Sequence, residues 1–394
     1  MVPKGWMLLQ VSDICKLQNG NSFKPHEWDT KGLPIIRIQN LNGSGNYNYF
    51  SGVPQDKWLV EPGQLLFSWA GTKGVSFGPF IWNGPKGVLN QHIYKVFANE
   101  NVHEHWLYLA LLHITQKIEA QAHGFKSTLL HVQKKDIDNQ FVLTPPVAEQ
   151  KKISQILSTW NKAISVTEKL LANSQQQKKA LIQQLLTGKK RLLDENGVRF
   201  SGEWCTCTLS EVAHIIMGSS PKSEAYNDNG LGLPLIQGNA DIKCRVSCPR
   251  VYTSDITKEC TPGDILLSVR APVGTVALSQ HKACIGRGIS AIKSKRKMSQ
   301  SFLYQWFLWF EPKWCYLSQG STFESINSDD IKTLKLSVPN FEEQKKIAAV
   351  LSAADTEIST LEKKLACLKN EKKALMQQLL TGKRRVKVDE AVAV

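Results

Sequence analysis

The stretch Glu149-Gln-Lys-Lys-Ile153, running on to Gln183-Gln-Leu-Leu-Thr-Gly-Lys189, occurs twice in this 394-residue chain. Shifted by 194 positions it returns as Glu343-Gln-Lys-Lys-Ile347 through Gln377-Gln-Leu-Leu-Thr-Gly-Lys383, and from Pro145 to Arg191 the copies match at 26 of 47 positions without a gap. An ungapped repeat of this length points to architectures made of two copies of one unit.

Each copy has the period of a long helix that packs along one narrow seam. In the second copy Ile347, Leu351, Ala354, Ile358, Leu361, Leu365, Leu368, Lys372, Leu375 and Leu379 alternate steps of four and three, the a/d pattern of a coiled coil. The first copy runs Ile153, Leu157, Trp160, Ile164, Thr167, Leu171, Ser174, Lys178, Leu181 and Leu185. Its polar positions, Thr167, Ser174 and Lys178, are places where buried hydrogen bonds or a partner subunit could enter the seam. Pro145 and Pro339 precede the two starts, Asn340 and Glu343 have the spacing of a capping pair, and Gly188 and Gly382 stand where the helices should end.

The rest of the chain reads as two further segments. The expected division is 1–144 and 192–338 for two globular heads, 145–191 and 339–386 for the helices, and 387–394 for a tail. The heads are faint copies of each other. Trp6 answers to Trp204, each ahead of a short helical pattern, Leu8 to Leu17 and Thr208 to Met217. Gly32-Leu-Pro-Ile-Ile-Arg-Ile-Gln-Asn40 answers to Gly232-Leu-Pro-Leu-Ile-Gln-Gly-Asn239, a strand signal ending in amides. A Pro-Gly turn feeds a buried strand at Leu65 to Trp69 and again at Ile265 to Val269. Apolar, aromatic-rich helices begin at Leu107-Tyr108 and Leu303-Tyr304. The expected fold is mixed α/β: two tandem heads, each followed by a long helix.

A formal net charge of +15 suits a protein that holds a polyanion, with nucleic acid the commonest candidate. The densest basic runs are Lys189-Lys-Arg191, Lys293-Ser-Lys-Arg-Lys297 and Lys383-Arg-Arg385, which also suit solvated loops and helix C-termini. Nine cysteines, one of them in the first half, read as reduced thiols. They lack the paired knuckles of a zinc site, so no metal is expected. His103, His105 and His113 read as core or surface residues. No apolar run has the length of a signal peptide or a membrane span, and the expected compartment is the cytoplasm.

Motifs for catalysis are missing. There is no phosphate loop of the Gly-x4-Gly-Lys-Ser/Thr kind. Thr144-Pro-Pro-Val147 lacks both the amide or acid and the aromatic of a base-gripping methyltransferase tetrad, and reads as a helix entrance. Asp329-Asp-Ile-Lys332 has a faint nuclease look but reads as a turn. No cofactor is expected. What recurs at matching places in the two heads is side chains able to read base edges or hold phosphates. In the first head these are Gln39, Asn40, Lys73, Asn90, Gln91, His92, Lys126, Ser127 and Thr128; in the second, Gln237, Asn239, Arg270, Arg287, Ser321 and Thr322.

This layout resembles the DNA-specificity subunit of type I restriction-modification enzymes over essentially the whole chain. The resemblance rests on the helix motif Pro-x-x-x-Glu-Gln-Lys-Lys-Ile, closing Lys-Lys-Ala-Leu-x-Gln-Gln-Leu-Leu-Thr-Gly-Lys, present at Pro145–Lys189 and Pro339–Lys383. It implies two target-recognition domains separated by an antiparallel coiled coil, and no catalysis in this subunit. It also implies double-stranded DNA, two methyltransferase subunits and restriction ATPase subunits as partners. The repeated-motif residues Glu149, Gln150, Lys178, Gln184, Glu343, Gln344, Lys372 and Gln378 become candidates for partner contact. Antiparallel pairing also follows from geometry, because two heads reading one duplex in equivalent ways are related by a dyad perpendicular to the DNA axis. Helices of roughly 40 residues span about 60 Å at 1.5 Å per residue. They would act as a ruler for a bipartite, asymmetric target. Two readings of other classes stay open: a single-chain methyltransferase or nuclease with a two-headed reader, and a coiled-coil scaffold whose charge serves a protein partner.

Overall fold

The computed structural model describes residues 2–121, 129–318 and 325–388. The chain divides into two compact units, Met1–Thr167 with Lys364–Val394, and Glu168–Lys363. Both long helices continue from one unit into the other: a central helix, Val147–Leu185, of 39 residues, and a distal helix, Phe341–Leu380, of 40. Their ends follow the local chemistry. The Asn340 side chain accepts the Glu343 N–H at 2.9 Å, satisfying a donor of the first turn. Gly188 and Gly382 follow the last turns with φ of +70° and +67°, the left-handed conformation in which a Cβ is costly.

In the first unit Ile153 and Leu157, near the start of the central helix, share one core with Met376, Leu379 and Leu380 at the end of the distal helix. In the second unit Leu185 and Leu186, at the end of the central helix, share a core with Ile347, Ala348 and Leu351 at the start of the distal one. Start meets end in both units, so the helices pair antiparallel. Two of the polar seam positions make cross-helix contacts in the second unit: Ser174 Oγ donates to Glu357 Oε1 at 3.0 Å, and Lys178 pairs with Asp355. Thr167 instead donates to Ala163 O of its own helix at 2.8 Å.

The two heads are variations on one plan. In the first, an antiparallel sheet runs Cys15–Asn19, Ile93–Ala98, Leu65–Ser68, Gly78–Ile81; a second sheet runs Tyr49–Phe50, Leu33–Ile36, Gly87–Leu89, Leu59–Val60. In the second head the corresponding sheets have six strands, centred on Ile265–Ser268 and Val276–Leu278, and five, centred on Leu233–Ile236. Each head has a helix packed on its long helices, Glu104–Gln121 in the first and Gln300–Ser318 in the second. Trp106, Leu107 and Leu111 bury one; Phe302, Trp306 and Phe307 bury the other.

The short helices expected over Leu8–Leu17 and Thr208–Met217 are corrected to single turns, Val11–Ile14 and Leu209–Val212, each between two strands. The flanking residues find cross-strand partners far along the chain. Met7–Gln10 pairs with Phe141–Thr144, and Cys205–Thr208 with Lys335–Val338. Among the described residues no helix is long and apolar enough to cross a membrane.

Candidate functional site

One parallel strand pair in each head organises the site. In the first head Ile35 and Ile36 pair with Val88 and Leu89; in the second, Leu235 and Ile236 pair with Cys284 and Ile285. Parallel strands deliver their carboxyl ends to the same edge, where the following residues converge. Those residues are Arg37 and Asn90–His92 in one head, and Gln237 and Gly286–Gly288 in the other.

The same backbone hydrogen bonds hold both sets. Asn90 N donates to Ile36 O at 3.0 Å, and Gly286 N to Ile236 O at 2.9 Å. Trp69 N donates to His92 O at 3.3 Å, and Val269 N to Gly288 O at 2.9 Å. Arg37 N donates to the Asn40 side chain at 3.0 Å, and Gln237 N to the Asp241 carboxylate at 2.9 Å. The heads thus share a frame and differ in the side chains that it carries.

In the first head Arg37, Ile38, Gln39, Asn90, His92 and Ile93 line a cleft of about 190 Å³. Gln39, Asn90 and His92, anticipated separately from the sequence, come together here. The Arg37 guanidinium lies over the Trp28 ring, 5.1 Å from its centroid, and its Nε is buried without a hydrogen-bond partner. Behind the cleft, Trp69 sits 5.1 Å from the His92 ring and 4.7 Å from the His131 ring, and its indole N–H donates to Gln91 O at 3.1 Å. Burial, with the nearby His131 as a smaller cause, holds the His92 pKa below the ordinary histidine value. The shift favours the neutral imidazole, whose Nε2 meets the Gln91 side-chain amide at 3.3 Å.

Other residues fall elsewhere. Asn40 is buried, and its amide nitrogen donates to Ser44 O at 2.9 Å and Asn46 O at 3.0 Å. Asn40 is thus corrected from reader to brace, its hydrogen-bonding groups being used to fold the loop. Lys73 lies on the turn after Ala70–Thr72, outside the residues that line the cleft. In the second head Gln237, Arg270 and Arg287 are exposed and Asn239 is half-buried, on the turn that follows Gln237. Lys126, Ser127, Thr128, Ser321 and Thr322 lie outside the described residues.

Arg37, Trp28, Trp69 and His131 were not among the sequence candidates. Matching the heads by their terminal amides set Gln39 and Asn40 against Gln237 and Asn239. Matching them by the strand sets Arg37 against Gln237, because each immediately follows Leu-Pro-x-Ile. The short turns ahead of these strands set Trp28, just after Pro25–Glu27, against Tyr226, just after Ser223–Ala225.

The partner-contact candidates divide in two. Glu149, Gln150, Glu343 and Gln344 are 8%, 1%, 0% and 2% exposed, and are corrected from docking surface to internal clamps. Glu343 takes Arg191 in a fork, Nε on Oε1 and Nη2 on Oε2, both at 2.6 Å. Glu149 takes Arg385 and also accepts the Trp6 indole N–H at 3.2 Å. Gln150 accepts the His103 N–H at 2.8 Å and donates to Pro145 O at 2.9 Å; Gln344 does the same with Ser299 and Pro339 at 2.8 and 2.9 Å. Gln184 and Gln378 remain exposed near the helix ends. Lys178 is committed to Asp355. Lys372, the residue equivalent to Lys178, has its pKa lowered by burial.

Two heads on one frame, each with a polar edge at the ends of its parallel strands and joined through a repeated helix pair, define a two-headed recognition scaffold. The family model for the type I restriction modification DNA specificity domain matches residues 3–173 and 201–370, and the chain belongs to this family. It is similar to the putative type I restriction enzyme MjaX specificity subunit of Methanocaldococcus jannaschii, 32% identical over 98% of this chain and 95% of the relative. It is also similar to the EcoBI specificity subunit of Escherichia coli, 22% identical over 96% and 86% of the two chains. Among solved structures, the S subunit of a type I restriction-modification system from M. genitalium shares the fold with a TM-score of 0.62, at 15% identity over 96% of each chain. The HsdS subunit of Thermoanaerobacter tengcongensis shares it at 0.51, with 22% identity over 97% and 98%. The chain is a DNA-specificity subunit, not an enzyme.

Proposed function

We propose that residues 1–144 and 192–338 are target-recognition domains that each read one block of a bipartite, asymmetric duplex site. The helices of 145–191 and 339–386 hold the blocks at a set separation and dock two methyltransferase subunits, which methylate adenine. Restriction ATPase subunits complete the assembly, in the cytoplasm. The observation that carries this reading is the shared frame with divergent side chains: equivalent hydrogen bonds fix Arg37 with Asn90–His92 in one head and Gln237 with Gly286–Gly288 in the other. A duplicated reader whose reading side chains differ is suited to an asymmetric site.

The test is to express the chain with its methyltransferase subunit in cells free of other adenine methylation and to map the modified bases. The expected result is two short defined blocks flanking an unread spacer of constant length. The purified chain alone, with DNA, Mg²⁺ and S-adenosylmethionine, is expected to neither cleave nor methylate. A continuous palindromic motif, or activity of the chain by itself, would overturn the reading.

A further inference from the structure

We infer that Arg37 and Gln237 are equivalent base-reading residues, Arg37 selecting a guanine in one block and Gln237 an adenine in the other. This rests on the DNA-recognition reading above. Both residues leave the same strand at the same point, and both are anchored by their own N–H to a side-chain oxygen on the following turn, at 3.0 and 2.9 Å. An aromatic residue from the same place in each head then braces each side chain. Trp28 lies under the Arg37 guanidinium at 5.1 Å. Tyr226 Oη accepts the Gln237 side-chain amide at 2.9 Å, while donating its own proton to Pro221 O at 3.2 Å.

These braces leave the groups that match two different base edges. With the Arg37 cation stacked on an indole and no carboxylate paired to it among the described residues, its planar fork is left to make two parallel donations. The major-groove edge of guanine presents two acceptors, O6 and N7. Gln237 spends one amide N–H on Tyr226 and keeps one N–H with Oε1, a donor beside an acceptor, which is the pattern that matches N7 and N6 of adenine. A phosphate contact carries no sequence information, so it supplies no reason for the residue type to differ between the heads. Exchange of cation for neutral amide at one framed position is what different base edges require. Gly286 and Gly288 help set the approach in the second head. A Cβ on Gly288 would lie 2.3 Å from Gln237 O, so only glycine lets the two loops close.

The experiment measures binding of the chain, assembled with its methyltransferase subunits, to duplexes carrying each of the four bases at every position of the mapped motif. The wild type is expected to prefer guanine at one position of one block and adenine at one position of the other, each by about 10- to 100-fold. R37Q is expected to lose the guanine preference at that position only, and Q237R the adenine preference at its position only. R37K keeps the charge but not the fork, and is expected to lose the preference as R37Q does. Preference retained in R37K, a panel unchanged by R37Q and Q237R, or uniform weakening at every position would overturn the assignment. A wild-type complex without a bipartite preference would overturn the DNA-recognition reading instead.

Discussion

Glu343 is fully buried, and the two nitrogens of Arg191 supply its charge partner. Removing one member of a buried, hydrogen-bonded ion pair leaves the other uncompensated, at a cost of roughly 3 kcal/mol. Arg191→Met is therefore expected to lower the stability of the second unit by about that amount in urea unfolding. The double variant with Glu343→Gln is expected to recover part of the loss, because no buried charge remains. By sequence, Lys189-Lys-Arg191 and Lys383-Arg-Arg385 read as dense basic runs that suit a polyanion or solvated loops and helix C-termini. The last residue of each run is instead committed inside the chain, to Glu343 and to Glu149. Local sequence could not reveal this, because the partners lie 152 and 236 positions away. The residues lining the cleft of the first head were half legible for a related reason. Gln39, Asn90 and His92 stood out as loop polar groups. Arg37, embedded in an apolar strand sequence, is set apart only by the end of the parallel pairing and by Trp28.

The long helices were the most legible elements, since a heptad period maintained over 39 and 40 residues leaves few alternatives. Strands of two to four residues carry too little periodicity, and their partners are remote. Leu8 looked helical because neighbouring apolar residues fit a helix turn, yet it pairs with Leu143. The repeat also hides a difference between its copies. Lys178 meets Asp355 in the second unit, whereas the residues equivalent to this pair in the first unit are Lys372 and Asn161. If helix length sets the unread spacer, deleting the equivalent heptads Ser165–Leu171 and Ser359–Leu365 together preserves the seam and shortens both helices. Seven residues rise about 10 Å, so the spacer in the mapped methylation motif is expected to shorten by roughly three base pairs at 3.4 Å per step. An unchanged spacer would show that the helices do not set it.

At the scale of the molecule, the close of the distal helix folds back on the opening of the chain. A Cβ on Gly382 would meet Pro3 and Trp6, Arg385 Nη1 donates to Lys4 O at 2.9 Å, and the Arg385 guanidinium lies 5.5 Å from the Trp6 ring. The second head meets the close of the central helix in the same way: Gly188 faces Trp204, and Arg191 lies 6.0 Å from that ring. The link from one repeat to the next is therefore made twice, once through a peptide connection and once through side chains alone. A permuted chain that opens at exposed Ser201-Gly202, with the present ends joined by a short Gly-Ser linker, is expected to assemble with the methyltransferase and to yield the same methylated motif.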